Sequence, residues 1–252
     1  MAHIIAISNH KGGVGKTTST INIGAALAQM GKSVLLIDLD PQSNLTISMG
    51  VEPGEQQHST YTALVENDRL QPIKADSKLW LVPSTVELMG AEREIATKQK
   101  KEYTLAMKLA EVQQQYQYIL IDCPPSLGLL TTNALTAADR VYIPLQAQYL
   151  AMQGLANLQQ AVELVKQATN SRLQMGVFLN QYDSRKVLRR TIKQAAEQSL
   201  GAAVCKAVIR DNIALAEAPA MGQTIYQYAP KSKGAADYME LAKEINKRCS
   251  RK

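Results

Sequence analysis

Residues 3–19 read HIIAISNHKGGVGKTTS: a short apolar run, then three glycines within four positions, then a helix-forming segment. No other stretch narrows the fold as much. His3–Ser8 is apolar at its four central positions without alternation, so as a strand it belongs in a sheet covered on both faces. Thr17–Gln29 is rich in Ala, Ile and Leu and stops near Gly31, as a helix with a glycine stop does. A glycine turn between that strand and that helix can curl its backbone N–H groups around an anion at the positive end of the helix dipole. Such a turn cradles phosphate. Within it, Lys16 would reach the outer phosphates of a nucleotide and the Thr17 hydroxyl would hold magnesium.

The strand signal recurs. Ser33–Leu39, Tyr118–Asp122, Arg140–Leu145, Gln174–Asn180 and Ala203–Ile209 read as further buried strands separated by helical stretches, with Leu79–Val82 a shorter candidate. Alternation of this kind predicts an α/β fold, a doubly wound and mostly parallel sheet flanked by helices. Residues 50–75, punctuated by Gly50, Pro53, Gly54 and Pro72, read as an irregular excursion with a short helix. Residues 1–252 are expected to form one domain, with no repeat and no helix-turn-helix ahead of the first strand. Ala235, Tyr238, Met239, Leu241, Ala242 and Ile245 are spaced like the apolar face of a core-docking helix.

A chain of 252 residues, 46% hydrophobic and 20% charged, can bury a sizeable core and reads as an ordinary globular protein. Aromatics make up only 5%, which argues against base-stacking on aromatic platforms. Cys123, Cys205 and Cys249 are too few and too scattered for a disulfide framework, and neither a signal peptide nor an apolar run of membrane-spanning length is evident. A cytoplasmic protein is expected. The formal net charge of +6 points to a polyanionic partner only if the cations cluster.

The string from Lys11 to Thr18, KGGVGKTT, resembles the deviant phosphate-loop signature of the ParA/MinD family of P-loop ATPases. DLDPQSN at Asp38–Asn44, IDCPPSLGLLTTNAL at Ile121–Leu135 and EAP at Glu217–Pro219 extend the resemblance over nearly the whole chain, toward the family's short, Soj-like members. The resemblance implies ATP and Mg²⁺ as cofactors, cradled by Lys11, Gly12, Gly13, Val14, Gly15, Lys16, Thr17 and Thr18. It also implies a homodimer: the family's first lysine, matched by Lys11, reaches across the dimer interface to the other subunit's nucleotide. An ammonium supplied in trans stabilises charge on the transferring phosphoryl group, as an arginine finger does. Asp40 matches the aspartate that positions or activates the attacking water, so Lys11, Lys16 and Asp40 are the catalytic candidates. Asp122 closes the apolar run YILI at the carboxyl end of a strand, where open α/β sheets bind ligands, and suits a metal-side role with Thr17. Asp38, two residues before Asp40 on the same face, is a further candidate for holding metal-bound water, although strand-end carboxylates also serve as helix caps. Pro124 and Pro125 stiffen, and Gly128 frees, what the family uses as a γ-phosphate-sensing switch.

Asn180–Asp183 reads NQYD, near the guanine-reading N-K-x-D pattern but without its lysine, so adenine is expected, with Asn180 near the base. RDNIAL at Arg210–Leu215 resembles the family's second base-side segment and brings Arg210 and Asp211 to the nucleotide, with Ile209 where the family has proline. Arg185, Lys186, Arg189, Arg190 and Lys193 cluster in one helical stretch. At about 100° per residue they span an arc of roughly 140°, with Leu188, Ile192 and Ala195 on the other side. Such a stripe suits double-stranded DNA held by its phosphates without sequence preference. Arg185 matches a DNA-binding position of the family, whereas the family's second such arginine falls on Ala214; Lys206, Lys231 and Lys233 are candidates to compensate.

These readings describe an ATP-dependent dimerisation switch on the nucleoid that positions a chromosome, plasmid or other cargo with a ParB-type or other adaptor. One rival is a MinD-like membrane-associated regulator. Its membrane-seeking tail is missing, because the terminal KRCSRK has no large apolar face, and a membrane partner is not expected. Another rival is an iron-protein-type reductase, which needs cysteines bridging a cluster; Cys123 has no second cysteine at convincing spacing.

Overall fold

The computed structural model describes residues 2–146 and 151–250. Among them, eight strands form one sheet: β1 (His3–Ile7), β2 (Val34–Asp38), β3 (Ile73–Asp76), β4 (Leu79–Val82), β5 (Tyr118–Asp122), β6 (Arg140–Gln146), β7 (Gln174–Tyr182) and β8 (Val204–Arg210). Their order is β3-β4-β2-β5-β1-β6-β7-β8, parallel throughout except for β3 against β4. The doubly wound fold expected from the alternation is the observed one.

The helices around the sheet are α1 (Lys16–Gln29), α2 (Asn44–Ser48), α3 (Thr60–Leu64), α4 (Leu88–Ile95), α5 (Thr104–Val112), α6 (Leu129–Ala137), α7 (Ala151–Ala168), α8 (Val187–Leu200), α9 (Ala214–Ala220), α10 (Ile225–Tyr228) and α11 (Lys233–Cys249). Successive strand residues point to opposite faces, so β1 sends Ile4 and Ala6 into one core and Ile5 and Ile7 into the other. On one face α1 and α11 bury Ile21, Ile23, Leu27, Tyr238, Leu241 and Ile245. On the other, Leu88, Leu105, Leu130, Leu158 and Ile192 pack from α4, α5, α6, α7 and α8. Burial on both sides is why the strands carry continuous apolar runs.

The expected C-terminal docking helix is present as α11, with Tyr238, Leu241, Ala242 and Ile245 fully buried. Its apolar stripe is spent on the sheet, so it offers none to a bilayer. No helix among the described residues is long and apolar enough to cross a membrane. The helix also covers the sheet edge at β8. Glu244 accepts the backbone N–H groups of Lys206 and Ala207 at 3.1 and 2.9 Å, and Asp237 accepts that of Arg210 at 2.9 Å. Carboxylates thus occupy donors that would otherwise template another strand. β3 begins at the end of the stretch read as irregular and runs one residue past it. Its four residues are only half apolar, and it closes against β4 through a turn in which Lys78 is left-handed (φ 57°).

Candidate functional site

The turn after β1 is held from beneath. Asn9, buried, donates through Nδ2 to the Pro144 carbonyl of β6 at 2.8 Å and accepts the Lys11 N–H through Oδ1 at 3.0 Å. Val14 is buried, and its carbonyl accepts Asn180 Nδ2 from β7 at 2.6 Å. Gly15 adopts φ 86°, and a Cβ there would also collide with the Asn180 amide, so glycine is required twice over. By contrast, nothing lies within 4 Å of where Gly12 and Gly13 would carry a Cβ. The loop is therefore anchored on its sheet side and open on its outer side. Lys16 is buried, with Nζ 3.5 Å from the Lys11 carbonyl inside the loop. Lys11 reaches toward Gln146 Oε1, also at 3.5 Å.

Two carboxylates close the floor. Asp38 and Asp122 are direct register partners at the ends of β2 and β5, and both are fully buried. Burial raises both carboxyls well above the ordinary carboxylate range, and for Asp122 the adjacent Asp38 charge pushes further in the same direction. Thr17 Oγ1 donates to Asp122 Oδ2 at 2.7 Å, and Thr20 Oγ1 reaches Oδ1 at 3.3 Å. Asp38 is more tightly engaged: Oδ2 accepts both the N–H and the hydroxyl of Thr46 at 2.9 and 2.7 Å, and Oδ1 accepts the Asp40 N–H at 3.1 Å. It caps and organises the loop that carries Asp40. Asp40 itself is buried, accepts Gln42 N–H at 3.0 Å, and is fixed through its carbonyl by Ser84 Oγ at 2.8 Å.

This donor set fits a magnesium nucleotide. Two adjacent buried carboxylates with raised pKa values are a poorly compensated negative site. A hydroxyl stands beside them and an ammonium beneath an open glycine loop. No group of three or more His, Cys, Asp or Glu side chains among the described residues could hold a metal unaided. Magnesium bound mainly through nucleotide oxygens and water needs no such group.

The base-side candidates divide. Asn180 props the loop, as described above. Arg210 ends β8 in a two-pronged ion pair with Asp237 of α11, at 2.5–3.1 Å, and Asp211 is exposed beside it. The basic segment differs from a uniform outward arc. Arg185 and Lys186 precede α8, and the helix docks through Ile192 and Ala196 while Leu188 lies exposed. Arg189 and Lys193 flank that docked side: Arg189 donates to the Gln181 carbonyl, and Lys193 sits 5.9 Å from the Tyr182 ring centroid and pairs with Glu197. Arg185, Lys186 and Arg190 remain outward. Of the side expected to dock, Ile192 is buried, Ala195 is half-buried and Leu188 is exposed, and Ala196 completes the contact. Ala214 is buried and packs near Ile225 and Ala235.

All three cysteines are free and buried, so none presents its thiol at the surface of the chain. The supports Asn9, Thr46, Ser84 and Asp237 carry no motif signal, because each acts on backbone or on another functional side chain.

The profile of the AAA domain family matches residues 2–175. The sporulation initiation inhibitor protein Soj of Bacillus subtilis is 45% identical over 97% of this chain and 98% of its own length. The chromosome-partitioning ATPase Soj of Treponema pallidum is 39% identical over 97% of each chain. Among solved structures, the cobyrinic acid a,c-diamide synthase of Mycobacterium smegmatis, with bound ADP and magnesium, superposes with a TM-score of 0.88. It is 34% identical, covering all of this chain and 96% of that one.

Proposed function

The chain belongs to the ParA/MinD family of P-loop ATPases, in its short Soj-like branch, and from that premise we propose that it is an ATP-driven dimerisation switch. ATP with magnesium is its cofactor. In this reading the ATP-bound dimer holds nucleoid DNA without sequence preference, a ParB-type adaptor accelerates a slow intrinsic hydrolysis, and the cycle positions a chromosome, plasmid or other cargo.

The observation that carries the proposal is the two-sided character of the loop: fixed to the sheet by Asn9 and Asn180, open above Gly12 and Gly13, with a second lysine at its lip. The open side leaves room for another subunit. In this reading Lys16 binds the outer phosphates from within the loop, and Lys11 serves the nucleotide of a second subunit. Thr17 and Asp122 would hold magnesium, which would neutralise phosphate charge there. Asp40, held by Gln42 N–H and Ser84, orients the water and accepts its proton. Arg185, Lys186 and Arg190 form the outward cationic segment that supports the DNA reading.

The test is light scattering with magnesium and a nonhydrolysable ATP analogue, followed by DNA retention with ATP, ADP and no nucleotide. Dimerisation and retention with ATP alone are expected. A monomer at saturating analogue overturns the switch.

A further inference from the structure

Gly128 reads from sequence as the mobile hinge of the switch loop, but its backbone requires no glycine. Its φ of −83° with ψ of −163° is extended conformation open to any residue. What a side chain there would displace is the Glu92 carboxylate. A Cβ on Gly128 would stand 2.6 Å from Glu92 Oε2, 2.8 Å from its Cδ, and closer still to Oε1. That carboxylate accepts the Leu130 N–H at 3.0 Å. Helix α6 begins at Leu129 with Gly128 as its N-cap, which supplies no side-chain acceptor. The first N–H groups of a helix need partners and favour negative charge. A residue from another helix, α4, meets that need.

Helix α4 and the turn ahead of it touch different parts of the site. Just before the helix, Ser84 fixes the Asp40 carbonyl and donates its own N–H to Thr46 Oγ1 at 2.9 Å, the hydroxyl that binds Asp38. Leu88, Ala91 and Ile95 are fully buried, so the helix is rigidly seated. Further along, Glu92 grips the first turn of α6, and Thr131 Oγ1 in that turn donates to the Ser126 carbonyl of the switch loop at 2.6 Å. That loop starts directly after Asp122. The helix is thus a strut between the loop carrying Asp40 and the loop leaving Asp122.

We propose that Glu92 is a positioning residue for ATP hydrolysis: by capping α6 it holds the Cys123–Gly128 loop in register with the Asp40 loop, so that both flank the γ-phosphate together. The absence of a Cβ at Gly128 leaves that carboxylate in place over the first turn of α6. The proposal rests on the ATPase reading but not on DNA binding or an adaptor.

Steady-state ATPase kinetics on Glu92→Ala, Glu92→Gln, Gly128→Ala and the double variant Glu92→Ala with Gly128→Ala provide the test, with melting followed by circular dichroism. Glu92→Ala should lower kcat about tenfold with KM for ATP within about twofold, because the chemistry and not the binding depends on register. Glu92→Gln, whose amide oxygen still accepts the Leu130 N–H, should stay within about threefold of the parent. Gly128→Ala should match Glu92→Ala, and the double variant should fall no further. Parental kcat in Glu92→Ala, multiplicative losses in the double variant, or equal loss of kcat and melting temperature in the Gln and Ala variants would each overturn the proposal. A parent that turns over ATP but fails to retain DNA overturns the switch reading and leaves this comparison intact.

Discussion

Asn180 donates its side-chain amide to the Val14 carbonyl at 2.6 Å and lies against the one face of Gly15 where a Cβ would have to stand. The asparagine is thus a prop under the phosphate loop, set there by β7. Asn180→Ala should therefore weaken ATP and GTP equally, on the order of tenfold each, through loss of one well-aligned buried hydrogen bond plus its packing. Fluorescence titration with both nucleotides checks this. A selective loss for ATP would show instead that the amide reads the base.

Asp122 links the stability of the nucleotide-free fold to pH. Its folded pKa is raised by burial and by Asp38, so between the ordinary carboxylate value and the raised one the nucleotide-free fold binds more protons than the unfolded chain. Stability without nucleotide consequently falls as pH rises through that window. A magnesium nucleotide has the opposite preference, because it needs the carboxylate charged, so its affinity should rise with pH and binding should release a proton. Calorimetry at about pH 6 in two buffers of different ionisation enthalpy measures the release. Asp122→Asn should reduce it. Identical proton release in parent and variant would remove Asp122 from the metal side.

The Arg210–Asp237 pair is expected to matter to stability more than to binding. Asp237 is buried and serves both the guanidinium and the backbone N–H of Arg210, whereas the Arg210 side chain is about half exposed (47%). Asp237→Ala strands a backbone donor at a sheet edge and should cost about 1–3 kcal/mol. Arg210→Ala should cost less, because the exposed partner is screened. Chemical denaturation reads both. If Arg210→Ala leaves stability intact but lowers ATP affinity, the arginine belongs to the nucleotide.

The central strands and the loop chemistry are legible in the sequence because they depend on local pattern: apolar runs buried on both faces, and glycines forced by an anion cradle. Asp38 and Asp122 are legible as strand-end carboxylates, but their side-by-side register depends on β2 and β5 being neighbours, which no local pattern encodes. Glu92, Asn9, Thr46 and Asp237 act on backbone groups or on other side chains brought close by the fold, so no motif marks them. Gly128 suggests freedom from its residue type alone, whereas in the fold its missing Cβ leaves room for the Glu92 carboxylate. On α8 the apolar count finds the docked Ile192 but also counts Leu188, which is exposed, and misses Ala196, whose small side chain carries little weight there.

The orientation of α8 decides how DNA binding should be dissected. Arg189 donates to the Gln181 carbonyl beneath α8, so Arg189→Glu breaks a structural contact and should lower the melting temperature along with any retention. Arg185 and Arg190 are exposed, and the Arg185 pairing with Asp183 at 3.0 Å is a surface contact worth little, so both guanidiniums can exchange their partners for phosphates. Arg185→Glu with Arg190→Glu should abolish ATP-dependent DNA retention while leaving dimerisation and melting unchanged. In the milder Arg185→Ala and Arg190→Ala forms, the slope of log affinity against log salt should flatten by about one for each guanidinium removed from a phosphate, uniformly across DNA sequences. Retention that survives the double charge reversal, or that varies with DNA sequence, would move the interface away from the β7–α8 connection, to the outward lysines Lys206, Lys231 and Lys233 near β8 and α11.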